Sequence, residues 1–243
     1  MAKPTLVLLH GVGLDHTMWE PVAGQLADRF TVITPDLPGH GSRPPAPQGV
    51  TLADLADGVA DLIPPGSHLV GFSLGALVVQ HLALAEPGLA DTLTFVSSVC
   101  RRTREERDAV LDRLATARAD VGASTDASLK RWYEGTDVAP ALVDRTEKVL
   151  RANDAESFLR CYEVFATADA ELAPRLGGIE QPSLAVTGAD DPGSTPEMTH
   201  RLAGALPDCR AVVVPGARHM LPVQRPRALV AALTTFIGER AHV

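Results

Sequence analysis

The sequence predicts an α/β protein: a doubly wound, mostly parallel sheet with a helical cap inserted before the last two strands. Three observations predict it. Apolar runs of strand length alternate with helix-periodic stretches from Leu6 to about Ser97, the alternation stops between about Val99 and Ile179, and it resumes to the C-terminus. Strand–helix–strand alternation implies right-handed crossovers and parallel pairing. Residues 1–98 and 180–243 are therefore expected to form one core, with residues 99–179 as a helical cap over the C-terminal edge of the sheet, where ligands bind in such folds. A chain of 243 residues suits one α/β domain with such an insertion.

Each element has its own signal. Leu6-Val7-Leu8-Leu9 is a continuous apolar run, the pattern of a strand buried on both faces, and it ends in the turn His10-Gly11-Val12-Gly13. Trp19, Val22, Ala23, Leu26 and Phe30 follow helical spacing. Val32 and Ile33 make the next strand, Asp36 to Ser42 a loop rich in turn formers, and the proline-rich segment Arg43 to Gly49 a surface connection. Thr51 and Asp54 form a capping box for a helix expected to bury Leu52, Leu55, Val59 and Leu62. His68-Leu69-Val70 leads through Gly71-Phe72-Ser73-Leu74-Gly75 into a helix to Ala85, and Thr92 to Ser97 is a further strand.

Within the insertion, Thr103 and Glu106 open one helix. Leu129, Trp132 and Tyr133 stripe a second, Leu142, Val149 and Leu150 a third, and Phe158, Leu159, Tyr162 and Phe165 a fourth. Ser183 to Val186 then resumes the sheet, Thr195-Pro196 caps a helix, Ala211 to Val214 is the last strand, and Pro226 to Glu239 the last helix.

Composition excludes several classes. Apolar residues at 45% and charged residues at 21% are globular values, and a net charge of −8 argues against a nucleic-acid binder, which needs a basic stripe. No apolar run is long enough for a membrane span, and the N-terminal run is too short for a signal peptide, so a cytoplasmic protein is expected. Cys100, Cys161 and Cys209 are far apart and without C-x-x-C spacing, as reduced structural thiols are. The eight histidines show no metal-ligand spacing, so no metal is expected. Nothing in the sequence fixes an oligomeric state.

The chemistry concentrates at G-x-S-x-G, residues 71–75. Gly71 and Gly75 let strand and helix backbones pass closely while Ser73 sits in a strained turn with its hydroxyl outward. A helix that starts at Leu74 leaves the Leu74 N–H unpaired and aimed at whatever the serine attacks. Alone the motif is weak; it requires partners. A serine hydroxyl needs a base, and the base a third group that fixes its tautomer. On a sheet of this kind the expected order is Ser, then Asp or Glu, then His, each after a strand. Asp190-Asp191-Pro192 follows the strand ending near Thr187, and Asp191 is preferred over Asp190 because Pro192 and the following cap suit an inward-turned acid. His219 follows the last strand. The N–H of Val12, in the turn after the first strand, is placed to join Leu74 as a second oxyanion donor. His10 and His40 are read as local hydrogen-bonding groups, His16 and His242 as solvated.

HGVG, DLPGHG, GFSLG, GADDP and GARH, in that order, resemble the α/β-hydrolase superfamily over essentially the whole chain. Ala76 departs from a frequent second glycine. Within the superfamily, Met18 to Pro21, Leu129 to Tyr133, and Asn153-Asp154 with Ala168 to Leu172 are most like 3-oxoadipate enol-lactonases, although HGVG differs from their serine-asparagine turn. That resemblance implies cofactor-independent serine hydrolysis of a small enol-lactone, with Trp132 facing the pocket; helical spacing alone reads Trp132 as packing with Leu129 and Tyr133. A lactone bearing a carboxylate would want a cation, for which Arg131 and Arg160 are candidates. A general carboxylesterase or thioesterase, a lyase using the same serine and histidine, and a small-ligand receptor with little turnover stay open as alternatives.

Overall fold

The computed structural model describes residues 3–240. In chain order its elements are β1 Thr5–Leu9, α1 Glu20–Leu26, β2 Thr31–Ile33, α2 Leu52–Ala60, β3 Ser67–Phe72, α3 Leu74–Ala85, β4 Ala90–Val96, α4 Arg104–Ala119, α5 Val121–Tyr133, α6 Pro140–Ala152, α7 Ala155–Leu172, β5 Ser183–Gly188, α8 Pro196–Ala205, β6 Cys209–Val214, α9 Leu221–Gln224 and α10 Pro226–Arg240. The six strands form one parallel sheet in the order β2-β1-β3-β4-β5-β6. The chain winds outward from β1 in both directions, which places the topological switch between β1 and β3.

The apolar runs explain two cores. Leu6 and Leu8 face one side of β1 and Val7 and Leu9 the other, and all four are fully buried. Leu6 and Leu8 pack with Val22 and Leu26 of α1 and with Leu229, Leu233 and Phe236 of α10. Val7 and Leu9 belong to the core on the other face, which also takes in Leu55 and Val59 of α2, Leu77 of α3 and, farther along the sheet, Leu202 of α8. Helices on both faces are what a parallel sheet needs to bury its apolar strands.

Capping residues set the helix starts. Thr51 with Asp54 and Thr103 with Glu106 form reciprocal capping boxes at α2 and α4, and Thr195 caps α8 ahead of Pro196. One expectation fails. α2 ends at Ala60, so Leu62 lies in the following turn and is 43% exposed, while Ile63 is buried in its place. Periodicity cannot register where a helix stops.

The helices α4, α5, α6 and α7 all lie between β4 and β5. A buried ion pair fastens this insertion at its entry: Arg102 bonds Asp169 of α7, whose carboxylate also accepts from the Arg102 N–H, and the guanidinium reaches the Phe165 and Ala166 carbonyls. Among the described residues no helix is long and apolar enough to cross a membrane, and no cluster of His, Cys, Asp or Glu could hold a metal ion.

Candidate active site

Ser73 stands between β3 and α3 with φ 54° and ψ −111°. Such a positive φ is unfavourable for a residue with a side chain, so the fold imposes it. The imposition comes from close backbone passage. A Cβ on Gly71 would strike the Gly75 carbonyl, and one on Gly75 would strike the carbonyls of Leu9 and His10 at the end of β1. Helix α3 therefore starts hard against two strand ends, and its first N–H, that of Leu74, has no intrahelical acceptor.

Asp191 and His219 follow the ends of β5 and β6, which lie beyond β4 along the sheet. Asp191 follows β5 and is 3% exposed. One carboxylate oxygen accepts the N–H groups of Gly193 and Ser194, each at 2.9 Å, and the other accepts His219 Nδ1–H at 2.8 Å. Because the carboxylate can only accept, the proton sits on Nδ1 and leaves Nε2 free as a base. Asp190, by contrast, is exposed. Phe72 and Trp132 flank the imidazole, with ring centroids 5.0 and 5.5 Å away. Ser97 Oγ donates to the His219 carbonyl at 3.2 Å.

The glycine turn is held by its own histidine. The Leu37 N–H donates to His10 Nε2 at 2.9 Å, so the other ring nitrogen carries the proton and donates to the Gly11 carbonyl at 2.8 Å. Burial lowers the His10 pKa to about 4, which keeps it neutral. His40 packs edge-on against it at 5.1 Å and donates Nδ1–H to the Pro38 carbonyl at 3.0 Å. Burial, then the neighbouring His10, lowers the His40 pKa to about 3. His16, expected to be solvated, bonds Asp36 at 2.8 Å although it stays exposed. His242 lies outside the described residues.

One cavity, open to solvent, joins these groups. Ser73, Asp191, His219 and Val12 line its floor, and Arg113, Arg131, Trp132, Leu150, Phe158 and Tyr162 of the insertion its opposite wall. Ser73 and His219 face this space without a hydrogen bond between them, a spacing common before substrate arrives. Trp132 thus has both roles weighed for it: it packs beside the core and borders the cavity. Arg131 borders it too. Arg160 does not, because it turns away to the Ala46 carbonyl at 2.8 Å and to Glu156.

Sequence reasoning missed four residues here. Arg113 is one of many arginines on a polar helix, and only the helix's rotation selects it. Asn153 donates to the Gly13 carbonyl at 2.8 Å, tying the insertion to the glycine turn. Gln224 and Ser97 act through backbone contacts from distant segments, which leave no local pattern.

The chain belongs to the alpha/beta hydrolase family, which it matches over residues 6–233. It is 29% identical over 236 residues to (E)-2-((N-methylformamido)methylene)succinate hydrolase of Acinetobacter baylyi, covering 96% of this chain and 89% of that one. It is 33% identical over 253 residues to pimeloyl-[acyl-carrier protein] methyl ester esterase of Chromobacterium violaceum, covering 98% and 96%. The crystal structure of the enol-lactonase from Burkholderia xenovorans superposes with a TM-score of 0.87 at 27% identity, covering 98% of this chain and 92% of that one.

Proposed function

We propose that this protein is a cofactor-independent serine hydrolase that cleaves a small carboxylic ester or lactone, with an enol-lactone such as 3-oxoadipate enol-lactone as the favoured substrate type. The observation that carries the reading is the convergence of Ser73, His219 and Asp191, from three strand ends, on one cavity with His219 already oriented by Asp191. Its relatives' activities, on an ester, a lactone and a carboxylated enamide, support the same chemistry.

In this mechanism His219 Nε2 takes the Ser73 proton as Oγ attacks the carbonyl carbon. The carbonyl oxygen becomes an oxyanion between the N–H groups of Leu74 and Val12, each such donor contributing about 3 kcal/mol to the transition state. His219 then protonates the leaving oxygen, and water, activated by the same imidazole, releases the acid and regenerates Ser73. Asp191 holds the tautomer and offsets the charge on the imidazolium. Residues 99–179 act as a cap that selects the substrate over a core of residues 1–98 and 180–243, in a cytoplasmic enzyme acting on small molecules.

A panel of p-nitrophenyl esters, simple lactones and 3-oxoadipate enol-lactone tests it, run with wild type and Ser73→Ala. Turnover of the panel that disappears in Ser73→Ala is expected; turnover unchanged by the substitution overturns the nucleophile. Fast hydrolysis of simple esters with none of the enol-lactone overturns the substrate type and leaves a general carboxylesterase or thioesterase.

A further inference from the structure

Resting on the serine-hydrolase reading above, we infer that the substrate carries a free carboxylate remote from the reacting carbonyl, and that Arg113 of α4 and Arg131 of α5 bind it. Both arginines line the cavity that holds Ser73 and His219. Among the described residues neither pairs with a carboxylate, whereas Arg102, Arg118, Arg145, Arg151 and Arg160 of the same insertion each meet an Asp or Glu.

The contacts of Arg131 are all to neutral acceptors. Its guanidinium donates to Ser128 Oγ at 3.0 Å and to the Ala127 carbonyl at 3.5 Å, which leaves several of its five N–H groups unused. Burial first, and the charge of nearby Arg113 second, pull Arg131 below the ordinary arginine range. A half-buried guanidinium beside another cation is unfavourable unless an anion joins it. Within the protein the charge of Asp191 offsets this only in part, since burial and Arg113 act more strongly. The acidic side chain on the cavity is Asp191, and its oxygens are taken by His219, Gly193 and Ser194. A substrate carboxylate would meet two cations and the free hydroxyl proton of Ser128, whose oxygen already accepts from Arg131.

The rest of the wall indicates the shape. Leu14, Phe72, Leu150 and Phe158 present apolar surface to the same cavity. A short carbon skeleton fits there, with a carbonyl toward Ser73 and a carboxylate toward Arg113 and Arg131. Half-esters of small dicarboxylic acids, and lactones bearing a carboxylate arm, have this form. Neutral esters of the same length lack the anion that the arginines require.

The experiment compares kcat/KM for the monomethyl esters of succinate, glutarate and adipate with those for methyl esters of the matching monocarboxylic acids, in wild type, Arg131→Gln, Arg131→Lys and Arg113→Gln. In wild type the best half-ester should exceed its neutral match by about 10- to 100-fold, the worth of one or two charge-assisted hydrogen bonds. That ratio should fall toward one in both glutamine variants and recover in part in Arg131→Lys. A wild-type ratio near one, or a ratio unchanged in both glutamine variants, overturns the inference. Binding of glutarate to Ser73→Ala, read by calorimetry, separates this from the hydrolase reading: weaker binding in Ser73→Ala/Arg131→Gln supports the anion site even if no ester is turned over, and no binding to Ser73→Ala contradicts it.

Discussion

Gln224 joins the loop that carries His219 to the helical insertion through the carbonyl of Trp132. Its amide N–H donates to that carbonyl at 2.7 Å while its oxygen accepts the Arg218 N–H at 2.8 Å, and Arg218 in turn donates to the Arg131 carbonyl at 3.1 Å. The last turn of α5, which carries Arg131 and Trp132 to the cavity, is thus bonded to the residue next to His219. Gln224 is 6% exposed, so truncation leaves two backbone groups with little access to water. Gln224→Ala should lose about 1–3 kcal/mol of stability in urea titrations. It should also lower kcat/KM more than a surface substitution of equal destabilisation does, because His219 and Trp132 lose their common anchor.

Gly75→Ala should be more damaging than its size suggests. The added methyl would press on the Leu9 and His10 carbonyls, which are backbone atoms at the end of a central strand and cannot turn aside. A loss of about 1–3 kcal/mol or more is expected from overpacking at such a site, with turnover falling as Ser73 and the glycine turn are pushed apart. Thermal denaturation with a parallel activity assay checks both. Gly24→Ala, on the exposed face of α1 with nothing near the new methyl, is the comparison: it should leave turnover unchanged and raise stability by up to about 1 kcal/mol through helix propensity.

Acid should destabilise the fold through His10 and His40. Both are neutral when folded, with pKa values lowered to about 4 and about 3 from an ordinary 6.5. The unfolded chain therefore binds more protons between these values, and stability rises with pH there. The contribution is fully present above pH 6.5 and is lost as pH falls toward 4 and then 3, on the order of 3 kcal/mol for His10. Urea midpoints at pH 7.5, 6 and 5 should fall in that order. The fall should be shallower in His40→Leu, which removes one buried imidazole whose Nε2 has no partner.

Asp191→Asn should preserve the fold and remove most of the rate. An asparagine can still accept the Gly193 and Ser194 N–H groups, but its amide no longer requires the proton on His219 Nδ1. In comparable triads this costs about 10⁴ in kcat, chiefly through the wrong tautomer. Steady-state kinetics should show the loss in kcat with KM little changed.

Much of the core was legible because its signals are local. Leu6 to Leu9 announce a two-faced strand, Thr51 with Asp54 and Thr103 with Glu106 announce helix starts, and G-x-S-x-G needs its neighbours only within a turn. Strand order points to Asp190 or Asp191 and to His219, and Pro192 with the following cap favours Asp191. The cavity's far wall could not be read in this way. Whether Arg113, Arg131 or Arg160 faces inward depends on how α4, α5 and α7 rotate against the sheet, and that rotation is set by contacts such as Arg102 with Asp169 and Arg160 with the Ala46 carbonyl, which join distant segments. Trp132 shows the same limit: its i, i+3, i+4 stripe predicts burial but not that the buried face meets His219.

The central claim is that Ser73 is the activated nucleophile of this cavity. A fluorophosphonate probe, followed by intact-mass measurement and peptide mapping, tests it most directly. The account predicts one adduct per chain, mapped to Ser73, absent in Ser73→Ala and slowed strongly in Asp191→Asn. Labelling that persists in Ser73→Ala, or a wild-type protein that hydrolyses esters yet takes no probe at Ser73, would contradict it.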